Sequence, residues 1–139
     1  MKYLLDTCIL SELVVRRPNE KVVAWLRRQS PDDLFVSYLT IGELHKGIVK
    51  RNGDSRGKML ERWLHDVVLA DYSDRLLPVD HAVSMVWGRI CGEAEREGKP
   101  RPVMDSLIAA TALANGLTLV TRNASDMKYT GVQLFNPFD

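Results

Sequence analysis

The chain has 139 residues, 45% of them apolar and 27% charged. That size and composition suit one compact domain, residues 1–139, and exclude a disordered or fibrous chain. Nineteen basic residues against eighteen acidic ones leave a net charge of +1, so any contact with nucleic acid must come from a local patch rather than from bulk charge.

In chain order, short apolar runs alternate with helical stretches. Tyr3–Leu5 is an apolar run ending at Asp6, and Asp6-Thr7 can cap a helix holding Ile9, Leu10 and Leu13. Asn19 can cap the next helix, with Val22, Val23, Trp25 and Leu26 on its apolar side. Leu34–Val36 is bracketed by Pro31-Asp32-Asp33 and Ser37, the turn chemistry that bounds a strand. Ser37 then caps a helix on which Ile41, Leu44 and Ile48 recur at helical spacing. Asn52-Gly53 turns the chain into a second helix, from Ser55 to about Ala70. Arg75–Val79 is a third strand, shortened by Pro78. Asp80 caps a long helix that stops near Gly98, and Pro102 opens another that ends at Asn115-Gly116. Leu117–Val120 and Val132–Phe135 complete five short strands.

Strands with almost no polar alternation, separated by helices, predict a central, mainly parallel five-stranded sheet covered on both faces, a three-layer α/β/α domain. Cys8 and Cys91 make no disulfide framework and read as reduced thiols of a cytoplasmic protein. The apolar runs are too short to span a bilayer, and the opening residues lack the apolar core of a secretion signal.

In such a sheet, ligands bind beyond the carboxyl ends of the strands. Asp6 stands at the end of the first strand, and Thr121, Arg122, Asn123 and Asp126 follow the fourth. Glu43 lies about one turn into the helix capped by Ser37, and Asp105 in the first turn after Pro102. Taken singly, each acid has a structural explanation: a cap for Asp6, the helix dipole for Asp105 and Glu43, a turn for Asp126. Together they are four acids from four segments, directed to one edge of the sheet. Carboxylates crowded in this way repel unless a cation neutralises them, and Mg²⁺ or Mn²⁺ is the hard ion that prefers such oxygens. No GxSxG, HExxH, CxxC or GxxxxGK[ST] pattern offers a competing centre.

Four segments resemble the motifs of the PIN-domain ribonucleases. Leu4-Leu5-Asp6-Thr7-Cys8-Ile9-Leu10 is similar to the opening LLDT motif, with Cys8 where Asn or Ser is common. Ser37–Leu44 resembles the S-x-x-T-x-x-E-L helix start, and Asp105–Ala112 the D-x-x-I-A-A-T-A segment. Leu119–Met127 resembles L-V-T-R-N-x-x-D-F, with Met127 in place of Phe. The tail Leu134–Phe138 looks most like the FitB branch of the VapC-type toxins.

The resemblance implies a Mg²⁺- or Mn²⁺-dependent endoribonuclease, the toxin of a toxin–antitoxin pair, leaving 5′-phosphate and 3′-hydroxyl ends. It places an acidic, metal-holding tetrad on Asp6, Glu43, Asp105 and Asp126, supported by Thr7, Thr121 and Asn123. It also implies a homodimer and a cognate antitoxin, with DNA reached through the antitoxin in a larger hetero-oligomer, and no membrane.

RNA contact would rest on local charge. Residues 45–62 carry six basic side chains, Lys46 and Lys50 among them, against two acidic ones, while residues 63–80 carry one basic against four acidic. Lys99 and Arg101 stand just before Asp105. Cys8, His45, His65, His81 and the three tryptophans read as packing or surface residues. Two other readings compete. One is a catalytically silent RNA- or protein-binding module on the same scaffold. The other is a metal-dependent phosphatase with Asp6 as nucleophile, which Cys8 disfavours by occupying the place of the usual second acid.

Overall fold

The computed structural model describes residues 1–139. Five strands, β1 (Tyr3–Leu5), β2 (Leu34–Ser37), β3 (Leu76–Leu77), β4 (Thr118–Val120) and β5 (Leu134–Phe135), form one sheet in the order β3-β2-β1-β4-β5. Every pairing is parallel, with Leu4 opposite both Phe35 and Leu119. The sheet is therefore wholly, not just mainly, parallel. The helices are α1 (Thr7–Glu12), α2 (Glu20–Arg28), α3 (Tyr38–Lys50), α4 (Ser55–Trp63), α5 (Leu69–Asp71), α6 (His81–Arg96) and α7 (Val103–Ala114).

Alternation along the strands explains the three layers. Leu5 and Val120, paired across β1 and β4, join the core beneath α1, α2 and α3 with Ile9, Leu10, Trp25 and Val36. Their neighbours Leu4 and Leu119 point the other way, onto Ile108, Ala109 and Ala112 of α7. A strand buried on both faces has no polar side to present, and β1 and β4 carry none until Thr118 and Asp6 at their ends. Further out, α6 packs on α7 through Val83, Ile90 and Ala110.

Several boundaries differ from expectation for local reasons. The fourth strand starts at Thr118, not Leu117, because α7 ends in a Schellman motif: Leu117 N–H donates to Ala112 O and Gly116 N–H to Leu113 O. Gly116 adopts φ +66° there. The fifth strand starts at Leu134, and Val132 N–H is taken by Thr130 Oγ1 instead. The third shrinks to two residues, with Pro78 beyond it lacking an N–H for the ladder. The helix expected from Ser55 to about Ala70 is continuous but widens into a π-turn over Leu64–Val68, which seats both of those residues in the core. No helix is long and apolar enough to cross a membrane.

The strand order fixes where a site can form. From β1 the chain runs outward to β2 and β3, then crosses back to β4 and β5 on the opposite side. The crevice beyond the carboxyl ends of β1, β2 and β4 is thus a topological switch point, flanked by helix starts.

Candidate active site

Asp6 is the residue at which β1 becomes α1. Its N–H donates to Val120 O at 3.0 Å, extending the β1–β4 pairing by one step. Its carboxylate then takes three neighbours: Oδ1 accepts from Thr7 N–H at 2.8 Å, Oδ2 accepts from Thr121 Oγ1 at 2.8 Å, and the Cys8 thiol lies 3.9 Å from Oδ2. The side chain is only 7% exposed. Burial pushes its pKa above the ordinary carboxylate value against the pull of the two hydrogen bonds, and the charges of Glu43 and Asp105 push it further up.

Glu43 projects from the second turn of α3, whose start Ser37 caps by accepting from Leu39 N–H. Thr7 Oγ1 donates to Glu43 Oε1 at 2.6 Å and stands 3.2 Å from Thr40 Oγ1, so the first residue of α1 ties the α3 carboxylate to the end of β1. Asp105, half-buried in the first turn of α7, also has its pKa raised: burial is the leading cause, followed by the charges of Glu43 and Asp126. Asp126 is exposed on a 3₁₀ segment, Ala124–Thr130, rather than in the open loop expected beyond β4. Asp6 thus feels the charges of Glu43 and Asp105, and Asp105 those of Glu43 and Asp126.

The supporting residues divide. Thr7 and Thr121 each donate directly to a carboxylate. Asn123 contributes its backbone N–H to Thr121 Oγ1 at 3.1 Å, while its exposed side chain makes no capping bond. Thr40 and Cys8 were not anticipated as members of this network. Cys8 Sγ lies 3.8 Å from Thr121 Oγ1 and accepts from Arg122 N–H, and burial raises its pKa, with the Asp6 charge adding to that. It is an inward-facing thiol rather than an activated one.

The donor set is one for a hard cation: carboxylates and hydroxyls, with no cationic side chain paired to any of the four acids. The molecule's ion pairs lie elsewhere, at Arg51–Asp54, Arg75–Asp74, Arg89–Glu93 and Arg122–Glu12. No three acidic, histidine or cysteine side chains close into a ready-made ligand cluster. Mg²⁺ in any case retains several waters and uses one or two direct carboxylates, so the residues present fit such an ion without forming a closed cage.

Of the basic residues, Lys46 and Lys50 follow Glu43 at three and seven positions, on the same side of α3. Lys46 borders a mainly apolar hollow with Glu43, Tyr38, Val79 and Met104. Lys50 borders a groove of about 560 Å³ with Thr7, Glu43, Leu44 and Trp63. Lys99 and Arg101 are exposed before α7, the guanidinium of Arg101 lying 4.6 Å from the Tyr129 ring centre. The histidines are all exposed. Trp25 is buried edge-on against Tyr3.

The family model of the PIN domain matches residues 3–130. Toxin FitB of Neisseria gonorrhoeae is 34% identical over 135 residues, 97% of each chain. VapC ribonuclease Y4jK of Sinorhizobium fredii is 32% identical over 135 residues, 97% of this chain and 96% of its own. The crystal structure of FitAcB from Neisseria gonorrhoeae superposes with a TM-score of 0.91 at 34% identity, covering 98% of both chains. With the match reaching from β1 to the end of the Asp126 segment, this chain belongs to the PIN-domain family.

Proposed function

We propose that this protein is a Mg²⁺- or Mn²⁺-dependent endoribonuclease, the toxin of a toxin–antitoxin pair. The observation that carries the reading is the joining of Asp6 and Glu43 through Thr7 at the switch point, with Asp105 and Asp126 facing them and no basic side chain paired to any of the four. Relatives named VapC ribonuclease, and solved toxin–antitoxin complexes of the same fold, support it.

Asp6, Glu43 and Asp105 would hold the ion, with Thr7 and Thr121 keeping two of the carboxylates turned into the crevice. When bound, the ion supplies Lewis acidity toward a phosphodiester oxygen, easing in-line attack by water. Asp126, at the exposed rim, orients that water and takes its proton. The bridging 3′ oxygen departs and takes up a proton from water, leaving a 5′-phosphate and a 3′-hydroxyl. No 2′-hydroxyl participates. Lys46 and Lys50 beside Glu43, and Lys99 and Arg101 before Asp105, hold RNA phosphates on either flank.

The partners follow from the same reading. A cognate antitoxin covers the crevice and offers it a guanidinium, which suits a carboxylate cluster without its metal. The toxin forms a homodimer, and DNA is reached through the antitoxin. The structure of FitAB bound to a DNA fragment, one chain of which superposes here with a TM-score of 0.91, supports the antitoxin and the DNA of this reading.

The deciding experiment incubates purified protein with RNA in EDTA and in Mg²⁺ or Mn²⁺, then maps the ends. Cleavage only with the divalent ion, leaving 5′-phosphates, is expected. A 2′,3′-cyclic phosphate product, or equal cleavage in EDTA, overturns the mechanism.

A further inference from the structure

Asp126 is the one acid of the four carried on a short 3₁₀ segment rather than on a helix start or strand end, and like charge faces it from Asp105. Something must hold that segment inward. Met127, fully buried, anchors its floor, and Thr130 Oγ1 donates to Met127 O within the segment. Met127 packs on Ile108, Ala109 and Ala112 further along α7, so neither contact reaches its first turn, where Asp105 stands.

Tyr129 does. A 3₁₀ helix has three residues per turn, so residues three apart lie one above the other. Asp126 and Tyr129 therefore share one side of the segment. The Tyr129 hydroxyl lies 2.8 Å from Oγ of Ser106, the fully buried residue next to Asp105. Ser106 has one hydroxyl proton and gives it to Pro102 O at 2.9 Å, so the phenol is the donor to Ser106. On the ring face, the Arg101 guanidinium stacks at 4.6 Å. One aromatic side chain is thus bonded to the first turn of α7 and stacked against the residue just ahead of it. Tyr129–Ser106 is also the side-chain hydrogen bond that joins this segment to α7.

We propose that Tyr129 is a positioning residue for the site: its bridge to Ser106 and Arg101 ties the segment carrying Asp126 to the first turn of α7, and so fixes the side of the crevice on which Asp105 and Asp126 stand. The inference rests on the metal-dependent reading above and deepens it. Tyr129 touches neither ion nor RNA and acts through the two acids on that side. Arg101, its planar face engaged by the ring, keeps its N–H edge free for phosphate.

The test uses the full-length protein as wild type, Tyr129→Phe, Ser106→Ala and the double variant. Tyr129→Phe keeps the ring and its stacking and removes only the donor, while Ser106 remains bonded to Pro102. Calorimetric titration with MnCl₂ alone should show binding weakened roughly ten-fold in either single variant, the usual scale for losing a group that orients ligands. The double variant should be no weaker than the singles. On RNA, kcat should fall by a similar factor with KM unchanged.

Wild-type Mn²⁺ affinity in Tyr129→Phe overturns the inference, as does a melting-temperature drop with Mn²⁺ binding intact, which marks a packing role only. Independent, multiplying effects of the two substitutions also overturn it. If wild type itself takes up no Mn²⁺, the metal-dependent reading fails and this inference falls with it, an outcome separable from the others.

Discussion

Asp6 and Asp105 are held in a state that costs the fold something. Both have pKa values raised in the folded chain, so their ionised forms are less favourable there than in the unfolded chain. The penalty is fully present above the folded pKa values and disappears as pH falls through them toward the ordinary carboxylate range. Asp105→Asn should therefore raise the melting temperature of the metal-free protein at pH 7.5. That advantage should shrink on acidification, as differential scanning fluorimetry across pH would show. The same variant should lose at least about 100-fold in cleavage rate, a loss typical of groups that stabilise developing charge. Stability and activity thus move in opposite directions at one residue. Thr121→Val tests the opposite case. It deletes the hydroxyl donor to the buried Asp6 carboxylate, and should cost about 1–3 kcal/mol in urea denaturation and weaken Mn²⁺ binding roughly ten-fold.

At the scale of elements, the central strands were legible because burial on both faces leaves apolar residues in them, with Ser37 and Thr118 only at the ends of β2 and β4. Leu4 and Leu5 are the plainest case. The placement of the four acids, though not their role, was legible for a related reason: strand ends and helix starts are marked by local chemistry, and the fold sends those ends to one edge. What the sequence hid is contact across distance. Thr7 meets Glu43 from 36 residues away and Thr121 meets Asp6 from 115. Thr40, Cys8 and Tyr129 join the network only because the sheet order makes neighbours of β1, β2 and β4. The π-turn was hidden as well, since a one-residue widening leaves the apolar pattern of Leu60, Leu64 and Val68 readable as an ordinary helix. The end of α7 was half visible. Asn115-Gly116 signalled a stop, but the bond from Leu117 N–H to Ala112 O shortened the strand that follows. That turn makes its own prediction. A Cβ on Gly116 would meet nothing within 4 Å, so Gly116→Ala is strained only by the backbone angle of +66°. It should cost about 1 kcal/mol in a urea melt with no change in Mn²⁺ binding.

For the whole molecule, a net charge of +1 means that RNA affinity must come from side chains near the crevice. Lys46 and Lys50, aligned with Glu43 on α3, are the pair to change. Replacing both by Glu should raise KM for RNA strongly while leaving Mn²⁺ binding in place. It should also flatten the dependence of log affinity on log salt by about 1.4, two phosphate contacts at ~0.7 each for a single strand. An unchanged slope would move the phosphate track to the Lys99 and Arg101 flank.

The outermost strands, β3 and β5, are paired over two residues each. A peptide laid along either margin would find room for hardly more than one repeat of main-chain hydrogen bonding before running off. Extension of the sheet by a foreign strand is thus a poor way to seize this protein. A partner is better served by side chains on its helical flanks, where recognition is written in shape and charge instead of backbone geometry.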